Sequence, residues 1–338
     1  MAFLAVAAPL GAQNPAAAPT EWQWTADRPD ANAPLGVFGS RVMEAGEIEI
    51  SYRWHQVDYQ GIWFGKDSLA LTDVLNLYND VPLEKKDIRH EVRLAFGVTD
   101  RITLVARGEF AEIERETFAN SAPIRTTVQE LGDVEVGALV SMYAAGPYRL
   151  HGHVGGVIPT GKSVTYADTT RSQTGTPVTL PYDSRPGAGS FGVLVGVGGS
   201  VQNEVGSLGA QFRYRANIDE NDAGYKLGDS QQASGWAAYM LNSVFSISAG
   251  ARWESWSPME GLDPTLNFFG DPHNAAGFLS GERAYLPLGV NMVLPAESGF
   301  FSGHRIQVEA VYTLHHDMDA PQLGMEWAFN FGYTVGFF

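Results

Sequence analysis

The chain has 338 residues, 44% of them hydrophobic, with a formal net charge of −16 and no cysteine. That acidity excludes nucleic acid as a partner, and the missing cysteine excludes disulfide staples. No apolar run reaches the roughly 18 residues of a spanning helix, which excludes a helical membrane protein but not a β-barrel, whose apolar residues are diluted by alternation.

Met1 to Gln13 reads as the remnant of a signal peptide, an apolar h-region with a small-residue cleavage site near Gly11-Ala12. Its basic n-region is missing, and the true start is expected upstream. Residues 14–45 begin rich in Pro, Ala and Asn and are expected to form a periplasmic N-terminal tail. Residues 46–338 are expected to be a single outer-membrane barrel.

Strands are read from period-two alternation. The first runs from about Gly46 to Asp58, with Ile48, Ile50, Tyr52 and Trp54 on one face and Glu47, Glu49, Ser51 and Arg53 on the other. Ten more follow, near 85–98, 101–114, 131–143, 148–158, 189–202, 207–217, 232–241, 244–256, 281–294 and 304–315. The last, Leu323 to Phe338, has every odd position apolar and large, as a closing strand of a lipid-exposed wall would. Phe337 is in phase with that face and Phe338 is not. Connections alternate short and long, so the fold class is an antiparallel up-and-down transmembrane β-barrel of about 12 strands with short periplasmic turns and long external loops.

The apolar faces are assigned to lipid, with aromatic girdles at Tyr52, Trp54, Trp253, Tyr285, Trp327 and Tyr333. The opposite faces carry Arg53, Arg89, Arg93, Arg107, Arg213, Arg215, Arg252 and Arg305. With them go Glu47, Glu49, Asp87, Glu91, Glu109, Glu135, Glu254, Glu309 and Glu326. In a modest lumen such charges pair as a bracing ladder or line a constriction; the ladder is favoured for most, with the strand of Arg213 and Arg215 as the best part of a constriction. The long loops are placed at about 59–84, 115–130, 159–188 and 258–280. In the first, Trp63, Phe64, Leu71, Leu75 and Tyr78 could line a solute pocket if the loop folds inward.

Several segments in order resemble one outer-membrane transporter family, known as "MetA-pathway of phenol degradation". They are Ala33-Pro34-Leu35-Gly36, Gly46-Glu47 with Ser51-Tyr52-Arg53, Gly97 to Leu104, Leu131-Gly132-Asp133 and Pro159-Thr160-Gly161. Gly224 to Asp229, Asp263 to Asn267 and Asp319 to Leu323 extend the likeness over about residues 33–335. The resemblance implies a barrel that moves small compounds, with aromatic ones among the candidates. The Met- and His-rich loops that suggest metal in some relatives are not carried over, because the eight Met and eight His here are mostly scattered.

Other motifs carry less. Pro159-Thr-Gly-Lys-Ser163 lacks the earlier Gly of a phosphate loop. His315-His316-Asp317-Met318-Asp319 reads as a solvated turn before it reads as a metal site, and Asp219-Glu-Asn-Asp222 as an acidic turn. A barrel phospholipase needs Ser beside His on the outer face, and His90 has none, so no enzyme is expected. No cofactor or metal is expected. The partners are outer-membrane lipid and lipopolysaccharide, a small-molecule solute, and a protein partner or a second copy. A non-transporting structural or interaction barrel, a subunit of a larger cell-surface assembly, is the alternative function.

Overall fold

The computed structural model describes residues 22–167, 178–295 and 303–337. Met1–Gln13, where a signal-peptide remnant is expected, and Phe338 lie outside them. Twelve strands are relevant to the wall: β1 Ile48–Gly65, β2 Val81–Thr99, β3 Ile102–Ala119, β4 Ala122–Leu131, β5 Val134–Ala145 and β6 Tyr148–Ile158 come first. β7 Gly192–Gln202, β8 Gly206–Asn217, β9 Ser230–Met240, β10 Phe245–Trp256, β11 Gly281–Val293 and β12 Arg305–Phe337 complete the set. All but β4 lie in a closed ring in which neighbours pair antiparallel, and β12 closes it on β1.

A ring of antiparallel neighbours needs an even number of passes, yet eleven strands form it. One must therefore pass twice. β12 has 33 residues, which would span about 110 Å if straight, several times the thickness of a bilayer. Its first part, Arg305–Met318, pairs with β11, and the part from Met318 to Phe337 pairs with β1. The two parts also touch: Asn330 Nδ2 donates to Glu309 Oε1 at 2.8 Å. The wall thus has twelve passes, as the alternation predicted, and both ends of the barrel sequence lie at one rim. β4 and β5 share one pass, pairing in turn with the outer and inner parts of β3.

The faces sort as the pattern required. Ile48, Phe212 and Phe329 are 43%, 40% and 36% exposed on the outer wall, while Glu309 is 1% exposed inside. An apolar exterior round a charged interior is stable only when the surrounding solvent is hydrocarbon.

Four readings change. The expected loop 115–130 is a β-hairpin: β3 and β4 carry the sheet above the rim, because Thr, Ile, Val and Arg there continue the alternation. β1 likewise runs to Gly65. Tyr285 is 3% exposed and donates to Glu254 Oε2 at 3.2 Å, so it is luminal rather than a girdle residue. Glu326 is exposed, not luminal, because the register slips between Asp58 and Tyr59, leaving Glu326 unpaired between Met325 and Trp327. The same slip turns Leu323 and Met325 inward, against the phase of Trp327 and Phe329.

The largest difference is the N-terminal segment. Residues 22–45, expected outside the barrel, thread its lumen from the rim where β1 begins. Asp30, Ala31, Ala33, Leu35, Val37, Phe38 and Met43 are all buried. Turns of the segment bond Ala31 N to Arg28 O at 3.2 Å and Val37 N to Pro34 O at 3.0 Å, and the wall must satisfy the rest of its buried backbone. It does so with side chains: Ser207 Oγ donates to Asp30 O at 2.6 Å and Gln307 Nε2 to Ala33 O at 3.1 Å. Arg53 Nη1 donates to Leu35 O at 2.8 Å, and Thr103 Oγ1 accepts from Met43 N at 2.8 Å. Arg305 binds the carbonyls of Ala26 and Arg28.

Candidate functional site: a lumen closed at two levels

The lumen is built by the inward positions of the strands. A chain of alternating charge runs across them: Arg53 on β1 lies 3.8 Å from Glu91 on β2, which lies 3.0 Å from Arg107 on β3. Arg107 reaches Glu135 on β5 at 2.6 Å, and Glu135 reaches Arg213 on β8 at 3.4 Å. β5 and β8 are separated in the wall by β6 and β7, so this last pair crosses the lumen rather than bracing neighbours. The intervening strands leave room because they carry glycine: a Cβ at Gly196 would sit 3.2 Å from the Arg213 side chain. Arg252 on β10 similarly passes β11 to reach Glu309 at 3.5 Å. Arg93 pairs with Glu49 at 2.7 Å, and Arg89 with Asp87 at 2.9 Å and with Glu109.

The inner closure is the N-terminal segment, and Phe38 is its centre. Its ring lies 4.3 Å from the Arg213 guanidinium, 5.5 Å from that of Arg107 and 4.6 Å from the His153 ring. Cation–π contact with two desolvated guanidinium groups favours that position. The Phe38 amide and carbonyl both bond the Gln211 side chain, and His151 Nε2 donates to Gly39 O at 3.0 Å. Gly36 permits Arg252 to cross: a Cβ there would lie 1.4 Å from the Arg252 guanidinium. Gly36→Ala is expected to displace Arg252 from Glu309 and to cost about 1–3 kcal/mol of segment docking, read as faster protease cleavage of residues 22–45 in the folded barrel.

The outer closure is made by the loops after β6, β8 and β10. Arg115 on β3 binds Asp271 at 2.8 Å and lies 3.3 Å from Asp183. Arg185 binds Asp263 at 2.9 Å and lies over the Tyr182 and Tyr225 rings. All of these side chains are nearly sealed from water, with Arg115 at 4% and Arg185 at 1% exposure.

Between the closures is a polar chamber of about 210 Å³, lined by Arg89, Arg107, Glu109, Glu135, Arg185 and Arg215 among others. Arg215 is its least committed cation. Its nearest carboxylate, Asp133, is 3.9 Å away and already accepts from the amides of Gly161 and Ala188. Wider cavities of about 820 and 650 Å³ lie at the outer and inner mouths.

The luminal residues read from the pattern fall into four groups. Arg53, Glu91, Arg107 and Arg213 form the transverse chain, and Arg89, Glu109 and Arg215 line the chamber. Arg93 and Arg305 lie lower, beside the N-terminal segment, and Arg252 and Glu309 form a separate crossing. The loop set does not form one pocket. Trp63 stacks on His316 at 4.7 Å, Phe64 and Leu71 are exposed, Tyr78 packs near buried Val74, and Leu75 lines the outer cavity. The helix that holds Leu71 and Leu75 is only Leu71–Leu75, too short to reach inward. Sequence reasoning missed Phe38, Gln211, His151, Gln307 and Thr103. The one available signal was the uncharged, mostly apolar run from Ala31 to Phe38, whose brief alternation is broken by Pro34.

No family model matches the chain, and no curated protein matches it. Among solved structures, the COG4313 outer membrane channel from Pseudomonas putida F1 superposes with a TM-score of 0.62 at 13% identity, covering 88% of this chain and 97% of that one. The NanC porin superposes less well, with a TM-score of 0.40 at 9% identity over 86% of this chain and 99% of that one. KdgM porin in complex with disordered oligogalacturonate gives 0.38 at 10%, over 86% and 99%. The first likeness establishes the fold. Together with the sorted faces and the even ring of passes, it makes the protein an outer-membrane β-barrel.

Proposed function

We propose that the protein is a gated outer-membrane channel for a small solute. The observation that carries this reading is the chamber itself: a charged, polar space left open between two separate closures. A purely structural barrel has no use for it. Arg89, Arg107, Arg185 and Arg215 suit a solute bearing a carboxylate, since guanidinium groups bind that group in a planar, bidentate way. An aromatic acid would match the resemblance to the phenol-degradation family. The solute would pass when either closure moves, and binding in the chamber would favour the open forms only by the difference in its affinity for them.

The competing reading is a barrel that transports nothing and serves as a structural or interaction subunit. The cross-lumen bond of Glu135 to Arg213 favours it, because ions paired across a lumen brace it shut.

Single-channel recording in planar bilayers separates the two. A channel is expected to give small, gated currents, and Arg215→Ala is expected to shift its selectivity towards cations, seen as a changed reversal potential in a salt gradient. Absence of current and of solute flux into liposomes, for both the whole protein and a form lacking residues 22–45, removes the channel reading.

A further inference from the structure

A second site lies on the outer surface of the wall and is independent of the lumen. In β12, Val311 faces inward at 2% exposure, while Tyr312 and Leu314 face outward at 52% and 64%. Strict alternation would send His315 inward. The ladder breaks at this point: Tyr285 lies opposite Thr313 and Ala284 opposite His315, so Leu314 has no residue opposite it. Such a bulge re-aims the side chains beyond it. His316 and Met318 now point inward and are buried, and His315 and Asp317 share the outer face. Glu282 on β11 lies directly opposite Asp317.

The result is that one ligand atom each from Glu282, His315 and Asp317 lies within 4.8 Å of the other two. Two carboxylates and an imidazole form a mixed oxygen and nitrogen set. Calcium asks for six to eight oxygens and magnesium keeps its waters, whereas zinc and its first-row neighbours accept three such protein ligands with water in an open position. The other polar groups at the site leave it available. Lys66 Nζ is 3.6 Å from Asp317 Oδ2 but its side chain is 66% exposed, so it can turn away at small cost. Trp253 Nε1 donates to Glu282 Oε2 at 3.1 Å and holds the carboxylate in place, with no hydrogen bond to Oε1 among the described residues. His315 has no hydrogen bond among the described residues.

We propose that Glu282, His315 and Asp317 bind one divalent transition-metal ion on the outer face of the barrel. The ion would clasp β11 to β12 beside the bulge, where the backbone ladder is interrupted. Residues 315–319, read from the sequence as a solvated turn, belong to β12.

The test is a zinc titration of the folded, chelator-washed barrel in detergent, followed by calorimetry and by thermal unfolding. One ion per chain is expected, with a raised unfolding temperature, and magnesium at equal concentration is not expected to compete. His315→Ala is expected to weaken zinc binding by at least about tenfold, and Glu282→Gln and Asp317→Asn to weaken it similarly. Cobalt bound in place of zinc reports its ligands in the visible spectrum and should lose that signature in His315→Ala. Each variant is first shown to migrate as a folded barrel. No saturable zinc binding, or equal affinity in the wild type and folded His315→Ala, overturns the proposal.

Discussion

Phe38→Ala opens the inner closure. The side chain is 5% exposed and its ring fills the space between two guanidinium groups. Truncating a buried Phe costs about 3–5 kcal/mol in a packed core, and here the cation–π contacts go with it. The barrel wall is expected to survive, because its ladder begins at Ile48 and does not include the segment. The cost therefore falls on docking alone. At about 3 kcal/mol the undocked population rises by roughly a hundredfold. Single-channel open probability should rise accordingly, and deleting residues 22–45 should convert flickering currents into sustained ones. A Phe38→Ala channel that gates like the wild type would show that the segment does not control flow.

Arg115→Ala is expected to have a comparable effect at the other mouth. Arg115 is the shared cation of Asp183 and Asp271, and all three are buried. Removing one partner of a buried ionic cluster costs about 3–5 kcal/mol, because the two carboxylates lose their main counter-charge in a dry site. Hydrogen exchange at the amides of residues 182–184 and 271–274 should accelerate by two or more orders of magnitude, with the wall unchanged.

Acid should act on the same cluster. Burial pushes the Asp183 carboxyl up, but Arg115, His273 and Lys85 more than offset this and hold it well below the usual carboxylate range. Asp271 is also lowered, burial being outweighed first by Arg115. Groups with depressed values stabilise the folded form above their unfolded value of about 3.9 and lose that contribution as pH falls below it. The outer loops should therefore stay docked at neutral pH and release progressively below about pH 4, raising conductance when the outer side is acidified. Arg115→Ala should remove most of that pH dependence.

The wall was legible in the sequence because a period of two is a local property. Ile48, Ile50 and Tyr52 declare their face without knowing what lies opposite. The bulges were not legible, because a slip of one residue is decided by the partner strand. Glu326 and His315 were misassigned or set aside for that reason, whereas Tyr285 reads as a girdle residue from its type, although the unbroken alternation of β11 sets it against Leu286, Leu288 and Val290. The inner closure was hidden for another reason. Ala31 to Phe38 is short and broken by Pro34, so its brief alternation does not mark a strand, and its backbone is held by the wall side chains Gln211, Gln307 and Arg53. The charged residues could be placed on the inner face from pattern alone, but which carboxylate each arginine reaches depends on gaps left by Gly196 and Gly36.

The pairing of β1 with the second half of β12 brings Ile48 opposite Phe337. The most distant parts of the barrel sequence must meet to complete the circle. Until the final residues have been synthesised and delivered, two raw sheet margins stay bare, each able to recruit a stranger's strand. Biogenesis must therefore keep a nearly finished, sticky polypeptide apart from its siblings, and the seam is where a truncated chain would fail first.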